Sequence, residues 1–134
     1  MHRIERLAAD NFERRVLSSP IPVVLAFGGD HCGPCRLLEP VLVELFPAIE
    51  GRVRVLKVDV RADSELATRL GIVALPTISF FRHRREECRL VGLQNRERLL
   101  EAVLGVLPPL HRELDPHFQV YPVGLPPNTD LSKP

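Results

Sequence analysis

Cys32 and Cys35 are separated only by Gly33 and Pro34, a spacing that lets two thiols close a small disulfide ring without moving the rest of the chain. Behind them Leu37, Leu38, Val41, Leu42 and Leu45 recur three to four residues apart, so both cysteines open a helix. Free backbone N–H groups and the helix dipole favour negative charge at that end, and the thiolate is the reactive form of cysteine. Cys32 stands there beside solvent, with Cys35 one turn further in. The pair therefore reads as a dithiol–disulfide couple in which Cys32 attacks a substrate disulfide and Cys35 resolves the mixed disulfide. Gly33 and Pro34 keep the turn small, and Pro34 has no N–H to lose in a first helical turn.

Zinc sites use the same cysteine spacing, but they need a second pair of ligands. Cys88 is single, and His2, His31, His83, His111 and His117 are scattered without ligand spacing. Neither a metal nor a separate cofactor is expected. Cys88 alternates with Leu90 on a predicted strand and reads as a buried, inert small hydrophobe.

The elements that must position the cysteines follow from hydrophobic patterning. Val23 to Phe27 is a continuous apolar run, the mark of a strand buried on both faces. It leads through Gly28-Gly29-Asp30-His31 into the cysteine helix, where Pro40 predicts a kink. Before it, Ile4 to Leu7 reads as a short strand. A helix follows to about Leu17, with Asp10 and Glu13 able to form a capping box. Beyond it come a strand over Val53–Val60, a short helix over Asp63–Leu70 ended by Gly71, and paired strands at Ile78–Phe81 and Cys88–Val91. The turn between the paired strands is charged and lacks the usual glycine. A last helix is capped by Asn95 and carries Leu99, Leu100, Val103 and Leu104. This order implies an α/β fold with a mixed sheet covered on both faces.

Composition fits one compact domain: 45% of residues are apolar and the formal net charge is +1, with acids and bases interleaved. No basic patch suits nucleic acid, and Arg82, Arg84 and Arg85 are followed at once by Glu86 and Glu87. No apolar run is long enough to span a bilayer, and the first residues lack an apolar signal core, so a cytoplasmic protein is expected. Seven of the 13 prolines fall in 108–134, which excludes a helix or central strand there. The expected division is a domain over 1–107 and a proline-rich extension over 108–134. Leu114 to Leu125 is apolar enough to pack against the domain or a second copy, with Phe118 or Tyr121 as candidates to fill space beside Gly28.

Cys32-Gly33-Pro34-Cys35, Pro40, Lys57, Leu75-Pro76-Thr77 and Val91-Gly92 resemble the thioredoxin family in identity, order and spacing, from about residue 4 to 107. The resemblance implies a five-stranded sheet ordered β1-β3-β2-β4-β5 flanked by four helices, and a cis bond before Pro76. It implies a protein-disulfide reductase whose catalytic residues are Cys32 and Cys35, supported by Gly33, Pro34, Lys57 and Pro76. An extended substrate segment would add to the backbone before Pro76 in a groove formed by His31, Val60, Ala74, Leu75 and Gly92. Its partners would be disulfide-containing proteins, with thioredoxin reductase or another dithiol donor as the electron source. The competing reading from another class is a binding or assembly module that keeps the fold and uses the groove for partners.

Four positions depart from the family pattern. Ala26 stands for a buried Asp, Gly28 and His31 for two Trp, and Arg61 for the Asp that accepts from the first Trp. Without a carboxylate at position 26, Lys57 is expected to lack an acidic partner, and Cys35 to depend on water or a weak base; Asp59 and His31 are the nearby candidates, although Asp59 reads more simply as a strand end and His31 as a solvated loop residue. This charge balance favours the thiolate. It predicts a reduction potential on the order of 10–40 mV above that of a C-G-P-C thioredoxin.

Overall fold

The computed structural model describes residues 4–49 and 51–106. The expected packing of the 108–134 segment, including Phe118 and Tyr121, lies outside the described residues. Five strands form one sheet: β1 (Glu5–Arg6), β2 (Val23–Gly28), β3 (Arg54–Asp59), β4 (Thr77–Arg82) and β5 (Arg85–Val91). Their order is β1-β3-β2-β4-β5. β1 and β2 run parallel to β3, whereas β4 runs antiparallel to both β2 and β5. Among the described residues there are four α-helices: α1 (Gly33–Glu44), α2 (Phe46–Ile49), α3 (Ser64–Arg69) and α4 (Arg96–Val106).

The central position of β2 explains its unbroken apolar run. Val24 and Ala26 face a core formed with α1 and α4, where they meet Leu38, Leu42, Leu99 and Val103. Val23, Leu25 and Phe27 face the opposite core with Leu7, Phe12, Val16 and Leu66. Alternate residues of one strand thus go to opposite faces, and both faces are covered.

The segment after β1 differs from the expected helix. It forms a short 3-10 turn over Ala9–Asn11 and then a π-helical turn over Glu13–Leu17, closed by the Ser18 N–H on the Glu13 carbonyl at 2.9 Å. The Asp10 cap does not form. Instead Asp63, more than fifty residues later in the chain, accepts the Ala9 N–H at 3.1 Å and the Arg6 guanidinium at 3.5 Å. A long-range carboxylate replaces the local one, which a local pattern cannot reveal. The turn still buries Phe12 and Val16, and the Phe12 ring meets Phe81 edge-on with centroids 5.6 Å apart.

α1 runs through Pro40 and ends at Glu44, one residue before the end of its apolar pattern, and α2 follows after Leu45. Asn95 caps α4 as expected, its Oδ1 accepting the Arg98 N–H at 2.8 Å. The hairpin turn is only His83-Arg84, at φ 55° and 66°. Both residues take the left-handed conformation that a two-residue turn of this hand requires and that glycine adopts without strain. The flanking strands are longer than their apolar residues suggest, because the charged residues Arg85 to Glu87 also pair or bulge along β4.

Candidate active site

β2 ends at Gly28, whose carbonyl accepts the Val60 N–H at 3.0 Å. The chain then turns back at once, with the Cys32 N–H on the Gly29 carbonyl at 3.1 Å. Arg36 Nη2 donates to the Asp30 carbonyl at 2.6 Å and ties this loop to α1. Cys32 is the N-cap of α1 and has extended backbone angles. Its Sγ accepts the Cys35 N–H at 3.2 Å. A sulfur therefore takes the place of the oxygen that usually satisfies a free N–H at a helix start. Gly33 and Pro34 are the first two helical residues, both exposed, and nothing stands within 4 Å of the Cβ direction of Gly33. Cys32 and Cys35 are joined by a disulfide, with Cα atoms 5.3 Å apart.

Leu75-Pro76 is a cis peptide, as the resemblance implied. Pro76 is buried and shares with Cys35 the wall of a cavity of about 300 Å³ behind the disulfide. Gly92 caps the other side of the hairpin start, donating its N–H to the Pro76 carbonyl at 2.8 Å. Thr77 Oγ1 donates to the Ala74 carbonyl at 2.7 Å and holds the preceding loop. Ala74 is exposed, as are the neighbouring Val73, Val91 and Leu93, whereas Leu75 is half-buried and packs into the core beneath β2. Val60 lies against Gly29, whose Cβ direction points within 4.0 Å of Val60 Cγ2. His31 is exposed on the loop directly before Cys32.

The family model described as Thioredoxin matches residues 3–104. The chain belongs to the thioredoxin family. Thioredoxin of Rickettsia bellii is 34% identical over 91 residues, covering 68% of this chain and 87% of the relative. Thioredoxin 1 of Nostoc sp. is 32% identical over 92 residues, covering 69% and 86%. A bifunctional thioredoxin reductase/thioredoxin of Mycobacterium leprae is 34% identical over 101 residues, which are 75% of this chain and 22% of that protein. With the bonded Cys32–Cys35 pair, membership makes the chain a dithiol–disulfide oxidoreductase that acts on disulfide-containing proteins.

One expectation drawn from the thioredoxin pattern needs correction. Lys57 is not without a carboxylate: its Nζ donates to Glu39 Oε1 at 2.9 Å. Ala26 and Lys57 lie side by side in the β2–β3 register, and Glu39 reaches across from α1 into the space beside them. Asp59, at the end of β3, has one carboxylate oxygen engaged. Its Oδ1 accepts the backbone N–H of Arg61 at 2.9 Å and of Ala62 at 3.3 Å. The Arg61 N–H holds this carboxyl below the usual carboxylate range, with the Ala62 N–H acting the same way.

Glu39 was absent from the sequence-derived site. The available signal was its position four residues after Cys35 on one helix face; its contact with Lys57 needed the strand order. Gly28 lines the cavity, but a Cβ there would stand 3.0 Å from Cys35 Sγ and 3.1 Å from Cys35 Cβ. The space beside Gly28 is thus not in the direction a side chain would leave the backbone. Cys88 is fully buried, and burial, aided by Glu86 and Glu87, pushes its thiol up. Among the described residues no group of acidic, histidine or cysteine side chains could hold a metal, and no helix is long and apolar enough to cross a membrane.

Proposed function

We propose that the chain reduces protein disulfides, with Cys32 attacking and Cys35 resolving. The observation that carries this order is the Cys35 N–H donated to Cys32 Sγ at the start of α1. The same N–H favours a thiolate on Cys32 once the pair is reduced. That thiolate attacks one sulfur of the substrate disulfide, the substrate S–S bond breaks, and one substrate thiolate leaves. Cys35 then loses its proton and attacks Cys32 Sγ. The bond to substrate breaks, the second substrate thiolate leaves, and the Cys32–Cys35 disulfide forms. Two electrons pass to the substrate sulfurs, and each released thiolate takes up a proton.

An extended substrate segment aligns along the backbone before Pro76. Val60, Ala74, Leu75 and Gly92 form the walls of its groove, with His31 beside the nucleophile. Backbone pairing tolerates varied sequences, which suits a protein acting on many disulfides. The hydrogen bonds that fix Ala74 and Gly92 around Pro76 keep this edge in place. Gly33, Pro34, Lys57 and Pro76 support the pair. The chain uses no cofactor beyond its own disulfide.

The pair is reset by a dithiol donor of the thioredoxin reductase class in the cytoplasm. The relative named as both reductase and thioredoxin supports such a donor. The unit that performs this chemistry is residues 1–107, and 108–134 is an extension. Insulin reduction driven by a chemical reductant tests the reading: turbidity that rises with the protein and fails with Cys32→Ser supports it, and no acceleration by the intact chain rejects it in favour of a binding module.

A further inference from the structure

Resting on the roles assigned above to Cys32 and Cys35, we propose that Glu39, held by Lys57, is the proton acceptor for Cys35 in the resolving step. A thiol attacks a disulfide only as its thiolate, so the half-buried Cys35 must give up a proton before it can attack Cys32 Sγ. Glu39 lies one helical turn beyond Cys35 on the same face of α1, a spacing that puts Cβ atoms about 5–6 Å apart. Both residues line the cavity behind the disulfide, and its volume of about 300 Å³ leaves room for water between them.

The other charged groups facing this cavity are Arg6 of β1, Asp30 of the loop, Arg36 of α1, and Lys57 and Asp59 of β3. The cations cannot accept a proton. Asp59, on β3 rather than on the cysteine helix, turns its Oδ1 to the N–H groups of Arg61 and Ala62. Asp30 lies on the loop before the helix, off the α1 face that carries Cys35. Only Glu39 combines the right helix face with a cation that fixes its direction, through the 2.9 Å bond from Lys57.

The step balances within the protein and its substrate. The Cys35 proton passes through water to a Glu39 carboxylate oxygen. The Cys35 thiolate forms the bond to Cys32 Sγ and is oxidised, while the substrate sulfur leaves with the electron pair and is reduced. Glu39 then returns the proton through water to the leaving thiolate and is again a carboxylate. Lys57 takes no part in the transfer and acts as a positioning residue through its bond to Glu39.

Stopped-flow reaction of the reduced full chain with dithiobis(nitrobenzoate) separates the two roles. The first coloured thiolate reports attack by Cys32, and the second reports attack by Cys35 on the mixed disulfide. Glu39→Gln is expected to slow the second phase about tenfold while leaving the first within twofold. Ala26→Asp in the Glu39→Gln background is expected to restore the second phase by supplying a carboxylate from β2. A second phase within twofold of the unmodified chain overturns the proposal. So does a slow phase that Ala26→Asp leaves unrepaired, since Glu39 would then act only on structure. A first phase that persists in Cys32→Ser would instead reject the assignment of Cys32.

Discussion

The backbone N–H of Cys35 points at Cys32 Sγ across 3.2 Å, so the helix that carries both cysteines is capped by one of them. The bond distinguishes the two sulfurs. Cys32 receives an N–H, whereas Cys35 lies inside the first turn beside the cavity. Cys32→Ser is therefore expected to abolish disulfide reduction, and Cys35→Ser to accumulate mixed disulfides with substrate. Mass spectrometry after incubation with a disulfide-bonded protein checks this. Adducts on the variant that retains only Cys35, and none on the one that retains only Cys32, would reverse the roles.

The Lys57–Glu39 pair lowers the expected shift in reduction potential. A free Lys57 beside the cysteines would favour their thiolates, but its charge is largely offset by the carboxylate 2.9 Å away. The loss of a carboxylate at position 26 and the presence of His31 still act toward an easier reduction. The potential is expected on the order of 10–20 mV above that of a C-G-P-C thioredoxin, where 30 mV corresponds to about 1.4 kcal/mol. Equilibration with glutathione measures it. A potential below that reference would show that the missing carboxylate does not control the balance.

Gly28→Ala is expected to weaken the oxidised form more than the reduced one. The new Cβ would press on Cys35 at 3.0–3.1 Å. In the oxidised protein the disulfide pins Cys35 Sγ, while the reduced side chain can turn away. Overpacking of this kind costs about 1–3 kcal/mol where neighbours cannot give. Thermal melting of both forms decides the matter, and equal losses would show that backbone rather than Cys35 takes up the strain.

Arg84→Gly is expected to stabilise the hairpin. Arg84 sits at φ 66°, where a side chain costs about 1–2 kcal/mol and glycine costs little. The substitution also removes the 2.7 Å pair with Glu13 and the 3.1 Å bond to Ser18 Oγ, but the Arg84 and Glu13 side chains are about 60% exposed and exposed contacts of this kind are worth about 0–1 kcal/mol. The balance favours glycine by about 0–2 kcal/mol. Urea unfolding reads it as a higher midpoint with an unchanged slope; a lower midpoint would mean that the ion pair outweighs the turn.

Cys88 is expected to stay silent. Its fully buried thiol is pushed up by burial, so it holds its proton at neutral and mildly alkaline pH. In the reduced protein two thiols should react with iodoacetamide at pH 8, and a third only after denaturation. Rapid alkylation of Cys88 in the folded chain would require a local opening of β5.

Spacing alone determined much of this protein. The C-x-x-C pair before an apolar helical repeat placed both cysteines at a helix N-terminus, because helix starts and hydrophobic periodicity are local properties. The unbroken run of Val23 to Phe27 marked the central strand for the same reason, since a strand covered on both faces needs no polar side. The thioredoxin resemblance added what spacing could not, the sheet order and the cis bond before Pro76. Tertiary structure decided which charges meet. Asp63 satisfies Ala9 and Arg6 instead of leaving the cap to Asp10, and Glu39 supplies Lys57 with the carboxylate that position 26 lacks. Both contacts join residues far apart in the chain. Their distances depend on how strands and helices stack, and no local pattern of residue types encodes that.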